Sequence, residues 1–195
     1  MLWSGILYNY YENSYNFLLE NIMSIKSIRR VTKYVSSEQA GLPVNSVLIS
    51  YRRKTAGVFA ANLRFILKKV FGEHVPFRDI ESIPPGDEFR QKIIEAIDGC
   101  RVFLLLIDPS WHTDQGRQRL ENNDDYVRFE IEKALAKGPF LRIIPVLVNG
   151  AAPITKNNLP KHLESIVNLQ SIQLGEGEFF ESSVEKIIDR IRAPV

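Results

Sequence analysis

Six consecutive apolar residues, Val102-Phe-Leu-Leu-Leu-Ile107, stand between Arg101 and Asp108-Pro109. The run is too short for a typical helix and shows no polar alternation, so both of its faces need cover. A strand in the middle of a parallel sheet meets that requirement.

From Ser46 onward the chain reads as alternating strand and helix around this segment. Val47–Tyr51 is a short strand, and Thr55–Val70 is a helix with Phe59, Leu63, Ile66, Leu67 and Val70 at helical spacing. His74–Arg78 reads as an edge strand, where Pro76 is tolerated. A loop over Asp79–Gly86 leads to a helix over Asp87–Ile97 that turns Phe89, Ile93, Ile94 and Ile97 inward. After the central strand comes a polar loop. A helix over Asp124–Leu135 follows, with an Asp-Asp start and a stop at Gly138. Leu141–Val148 is a fourth strand, Leu159–Ile166 a short helix, Ser171–Leu174 a fifth strand and Ser182–Ile191 a closing helix. Five such units predict an α/β fold: a flavodoxin-like, doubly wound, five-stranded parallel sheet with right-handed crossovers. In the order 2-1-3-4-5 the winding reverses between strands 1 and 3, and ligands bind outside the carboxyl ends of the strands at that point.

Composition narrows the function classes. With 195 residues and 45% hydrophobic content the chain can bury one good-sized core and a short appendage. From residue 45 on, 21 basic residues stand against 20 acidic ones, so no polycationic face for nucleic acid is expected. The single cysteine, Cys100, rules out an internal disulfide and fits a reducing, cytoplasmic compartment. His74, His112 and His162 lack metal-ligand spacing, and no metal is expected. No apolar run reaches the roughly 18 residues that span a bilayer. Residues 1–44 hold five of the seven tyrosines and read as an N-terminal extension, helical or partly disordered, with Met23 an alternative start. Residues 45–195 form the domain.

The reversal point gathers a particular set of side chains. Strand 1 ends in Ser50-Tyr-Arg-Arg53, strand 3 in Asp108-Pro-Ser-Trp111, and the Asp79–Gly86 loop lies beside them. Arg52 and Arg53 are planar forks suited to phosphate or carboxylate, and fit equally a solvated helix start. Tyr51 and Trp111 can stack on a ring or pack into the rim of the core. At about 100° per residue, Tyr126 and Glu130 stack along one border of the stripe formed by Val127, Ile131, Ala134 and Leu135, while Glu132 points nearly the opposite way. No glycine-rich phosphate loop is present, so a nucleotide would need side-chain clamps and helix N-termini. A phospho-acceptor receiver also places an aspartate at the position of Asp108, but it needs an acidic pair after strand 1 to hold a divalent metal. Two arginines stand there instead.

Four segments, Val47–Lys54, Phe77–Phe89, Asp124–Leu135 and Ile144–Val148, resemble in order the successive motifs of a bacterial Toll/interleukin-1 receptor (TIR) domain, from about Val47 to Ile191. The resemblance implies the flavodoxin-like sheet. It makes Asp79–Gly86 the loop that contacts neighbouring domains, with Ile83, Pro84, Pro85 and Gly86 at its tip. Enzymatic members cleave NAD+ at the nicotinamide–ribose bond, using a helical glutamate four residues after an aromatic that is usually tryptophan. Those positions hold Glu130 and Tyr126. The implied substrate-binding residues are Ser50, Tyr51, Arg52, Arg53, Phe77, Trp111 and Tyr126. NAD+ is then a substrate and no cofactor is needed.

Two function classes follow from the resemblance. One is an NAD+ glycohydrolase or cyclase acting in prokaryotic defence or cell-death signalling. The other is a non-catalytic module that signals by homotypic contact or mimics host adaptors. Either self-associates through TIR–TIR contacts, with a separate sensor or effector protein as partner.

Overall fold

The computed structural model describes residues 46–72, 88–175, 177 and 179–194. Its strands are β1 (Val47–Ser50), β2 (Val102–Ile107), β3 (Arg142–Leu147) and β4 (Ile172–Gln173), and its α-helices α1 (Arg53–Phe71), α2 (Phe89–Gly99), α3 (Asp114–Glu121), α4 (Tyr126–Ala136) and α5 (Phe179–Arg192). The strands pair in parallel in the order β1-β2-β3-β4. The expected edge strand at His74–Arg78, the Asp79–Gly86 loop and the N-terminal extension lie outside the described residues.

The apolar run behaves as its composition requires. All six residues of β2 are at most 1% exposed, with β1 and β3 hydrogen-bonded on either side. Period-two alternation divides the core into two halves. Val47, Ile49, Val102, Leu104, Leu106 and Val146 face α1 and α5, against Leu63, Leu67, Val184 and Ile187. Leu48, Phe103, Leu105 and Ile107 face the opposite way, against Ile93 and Ile97 of α2, Leu120 of α3 and Ile131 of α4. The chain thus forms an α/β sandwich with helices on both faces, the doubly wound flavodoxin-like architecture.

Local chemistry sets the helix limits. Asp125 caps α4 by accepting a hydrogen bond from the backbone N–H of Arg128 (2.9 Å). Two residues past its end, Gly138 takes φ +57°, where a glycine carries no Cβ penalty. Two expectations are corrected. The polar loop expected after Trp111 contains α3, which follows a 3-10 turn over Pro109–His112, and the segment near Leu159–Ile166 is a 3-10 helix over Lys161–Asn168. Thr113 starts α3 by accepting from the N–H of Gly116, an N-cap with a single buried leucine behind it.

Candidate functional site

The carboxyl ends of β1 and β2 meet the start of α4, and buried polar groups converge there. Ser50, the last residue of β1, donates its hydroxyl to Glu130 Oε2 at 2.5 Å. Glu130 is 1% exposed, a carboxylate fully inside the fold. Two residues after Ser50, Arg52 is also buried at 3% and donates from Nη1 to Asp125 Oδ2 at 2.7 Å. Its guanidinium lies against the Trp111 ring, 5.7 Å from the centroid. Among the described residues, Arg52 Nε and Nη2 have no hydrogen-bond partner. These two atoms form one edge of the guanidinium fork, the geometry that matches a pair of phosphate or carboxylate oxygens.

The pleat explains which neighbours reach this place. Side chains two apart on extended backbone leave the same side, so Ser50 and Arg52 both turn toward α4. Tyr51 leaves the opposite side and packs, half-buried, against the α1/α5 half of the core. Arg53 opens α1 and is exposed. The expectation that all four residues line one crevice is corrected for Tyr51.

The sequence left Trp111 either to stack on a ring or to pack into the rim of the core. It is enclosed in the core at 1% exposure, and the guanidinium of Arg52 lies against its ring, so packing takes the area that a base would need. Tyr126 and Glu130 part company as well. Tyr126 begins α4 at the surface, 47% exposed and edge-on to Phe89 at 4.5 Å, while Glu130 lies one turn deeper beneath the end of β1. Glu132 faces away, pairing with Arg128 (2.8 Å) and His162 (3.1 Å). Phe77 and the Ile83, Pro84, Pro85 and Gly86 tip lie outside the described residues.

Asp108 has structural work. It accepts from Thr55 Oγ1 (2.8 Å) and from the backbone N–H of Ser110 (2.9 Å), tying α1 to the turn after β2. Asp125, read from the sequence as a helix start alone, proves to be a member of the site. Its capping role was visible in the Asp-Asp pair, but its pairing with a residue 73 positions away was not. Among the described residues no group of three or more His, Cys, Asp or Glu side chains gathers to hold a metal ion.

A family model described as TIR domain matches residues 47–188, well over half of the chain. The chain belongs to the TIR domain family. No curated protein matches it. In this TIR domain the match begins at the first residue of β1 and ends within α5, so every element of the site falls inside it. Among the described residues, no helix is long and apolar enough to cross a membrane.

Proposed function

We propose that this TIR domain cleaves the nicotinamide–ribose bond of NAD+, giving ADP-ribose or a cyclic product, and acts in prokaryotic defence or cell-death signalling. The observation that carries the reading is the buried carboxylate of Glu130, oriented by the Ser50 hydroxyl at the carboxyl end of β1. Nicotinamide leaves as a neutral pyridine and needs little acid assistance, so the demand on the protein is electrostatic. Positive charge builds on the ribose as the bond lengthens, and a carboxylate held in a site of low dielectric stabilises it far more than one in water. Water then bonds to the anomeric carbon and loses a proton, or a ring nitrogen of the adenine closes a cyclic product. The Nε and Nη2 edge of Arg52 suits the diphosphate, and Tyr126, half exposed at the start of α4, suits a ring.

Enclosure of Glu130 also bears on control. A carboxylate that is 1% exposed meets NAD+ only after its cover moves. That fits an enzyme switched on by self-association through TIR–TIR contacts, under a separate sensor or effector protein. The same enclosure favours a second reading, in which the Ser50–Glu130 bond braces a non-catalytic interaction module.

Incubation of concentrated protein with NAD+, followed by chromatography of the products, separates the two. Glu130→Gln keeps the side-chain volume and an oxygen to accept from Ser50, so its melting temperature should stay near that of wild type. Nicotinamide release should fall by about 10²–10³-fold or more. Glu132→Gln should match wild type, because it loses only partly exposed ion pairs. Equal turnover in wild type and Glu130→Gln would remove the catalytic assignment.

A further inference from the structure

The end of β1 and the start of α4 are joined twice, by Ser50 to Glu130 and by Arg52 to Asp125. Arg52 keeps extended backbone (φ −86°, ψ 112°), so it projects to the same side as Ser50. Two residues of extended chain advance about 6.5 Å. The five steps from Asp125 to Glu130 rise about 7.5 Å along a helix. The two rungs are matched in spacing.

Asp125 is held from three sides. Oδ1 accepts from the N–H of Arg128 and caps α4. Oδ2 accepts from Arg52, and the more exposed Arg119 Nε stands 3.6 Å from the same oxygen. The side chains of Arg52 and Asp125 are 3% and 8% exposed, so water competes little for either. Trp111 lies against the guanidinium and limits where it can swing.

We propose that Asp125 is a positioning residue: through Arg52 it sets the height of the β1 end against α4, and thereby the place of the Ser50 hydroxyl on the Glu130 carboxylate. The catalytic consequence rests on the reading of Glu130 as the reacting carboxylate; the mechanical linkage does not. Asparagine caps helices about as well as aspartate. Asp125→Asn therefore keeps the cap and removes the charge that anchors Arg52.

The test uses the full chain, labelled with ¹³C at the glutamate carboxyl and assigned by comparison with Glu130→Gln. In Asp125→Asn the Glu130 resonance should shift at constant pH, while helix content by circular dichroism is retained. Arg119→Gln, which loses the outer cation, should leave that resonance in place. If wild type releases nicotinamide, kcat of Asp125→Asn should fall roughly ten- to a hundredfold, with KM changed far less. Asp125→Ser, another uncharged cap, replaces Asp125→Asn if that variant does not fold. An unmoved Glu130 resonance in the folded variant would overturn the proposal whether or not the protein turns over NAD+. A wild type that releases no nicotinamide would overturn the proposed function and leave the resonance to decide the linkage.

Discussion

Four consecutive residues at the end of β1 have four different surroundings, and a period of two accounts for most of the difference. Ser50 and Arg52 turn inward to α4, Tyr51 turns to the other half of the core, and Arg53 is already helix. The alternation was legible in the sequence, but the depth of each side chain was not, because it depends on Asp125 and Trp111 from distant segments. The two arginines should consequently respond differently to truncation. If Arg52 holds the diphosphate, Arg52→Ala should raise KM for NAD+ by the equivalent of about 1.5–3 kcal/mol. It also leaves Asp125 buried without its main partner, which costs about 3–5 kcal/mol of stability. Arg53→Ala, at an exposed position, should melt like wild type. Thermal melts beside KM measurements check both, and equal melting of the two variants would contradict the buried pair. Cys100 offers a prediction in pH. Burial pushes its thiol from 9.0 up to about 12, and its Sγ is within 3.3 Å of the Ile97 carbonyl. The folded state thus favours the neutral thiol. Its contribution is complete below pH 9 and is lost as pH rises from 9 toward about 12. A maleimide at pH 8 should label Cys100 only in denaturant, and Cys100→Ala should flatten the alkaline fall in stability.

Helix α3 marks where pattern reading stops. It spans eight residues, Asp114–Glu121, and buries only Gly116 and Leu120, so it presents no apolar stripe to detect. Its signal was the cap: Thr113 followed by Asp114 in the first turn. By contrast α4 carried a stripe, an acidic cap and a glycine beyond its end, and all three survive in the fold. Gly116 carries a sharp prediction. Replacing a helical glycine with alanine ordinarily stabilises by about 0.4–1 kcal/mol. Here an added Cβ would lie 2.0 Å from the Ser110 carbonyl oxygen and 3.1 Å from the Trp111 Cα. Those are backbone atoms of the turn that seats Trp111 and cannot move aside cheaply. Gly116→Ala should therefore destabilise by about 1–3 kcal/mol or more, read as a lower midpoint in urea. Helix ends are also tied to each other. Lys137, just past α4, donates to the Ile97 and Asp98 carbonyls at 2.9 and 2.7 Å, closing the end of α2. Arg142 likewise donates to the Arg190, Ala193 and Pro194 carbonyls at the end of α5.

At the scale of the molecule, layer order and sheet winding were legible because β2 has no polar face to offer solvent. The proposed assembly segment is known only from its sequence chemistry. From the sequence, Ile83-Pro84-Pro85 reads as an apolar, proline-stiffened segment, a composition suited to docking with little entropy loss, and it lies outside the described residues. If TIR–TIR contact exposes Glu130, specific activity should climb with protein concentration, and Ile83→Asp should flatten the climb without unfolding the monomer. Specific activity that is constant across a wide range of concentrations would show that activity does not depend on assembly. The burial of β2 has a consequence in time. Its amides lie between two hydrogen-bonded neighbours under helices on both faces, so the protons of Phe103 to Leu106 can reach deuterium only when the whole sheet comes apart. In deuterated buffer those four protons act as an internal clock for global opening, while α3 exchanges through smaller, local excursions. A bound nucleotide would slow the β2 clock by the factor that its binding adds to the folding equilibrium.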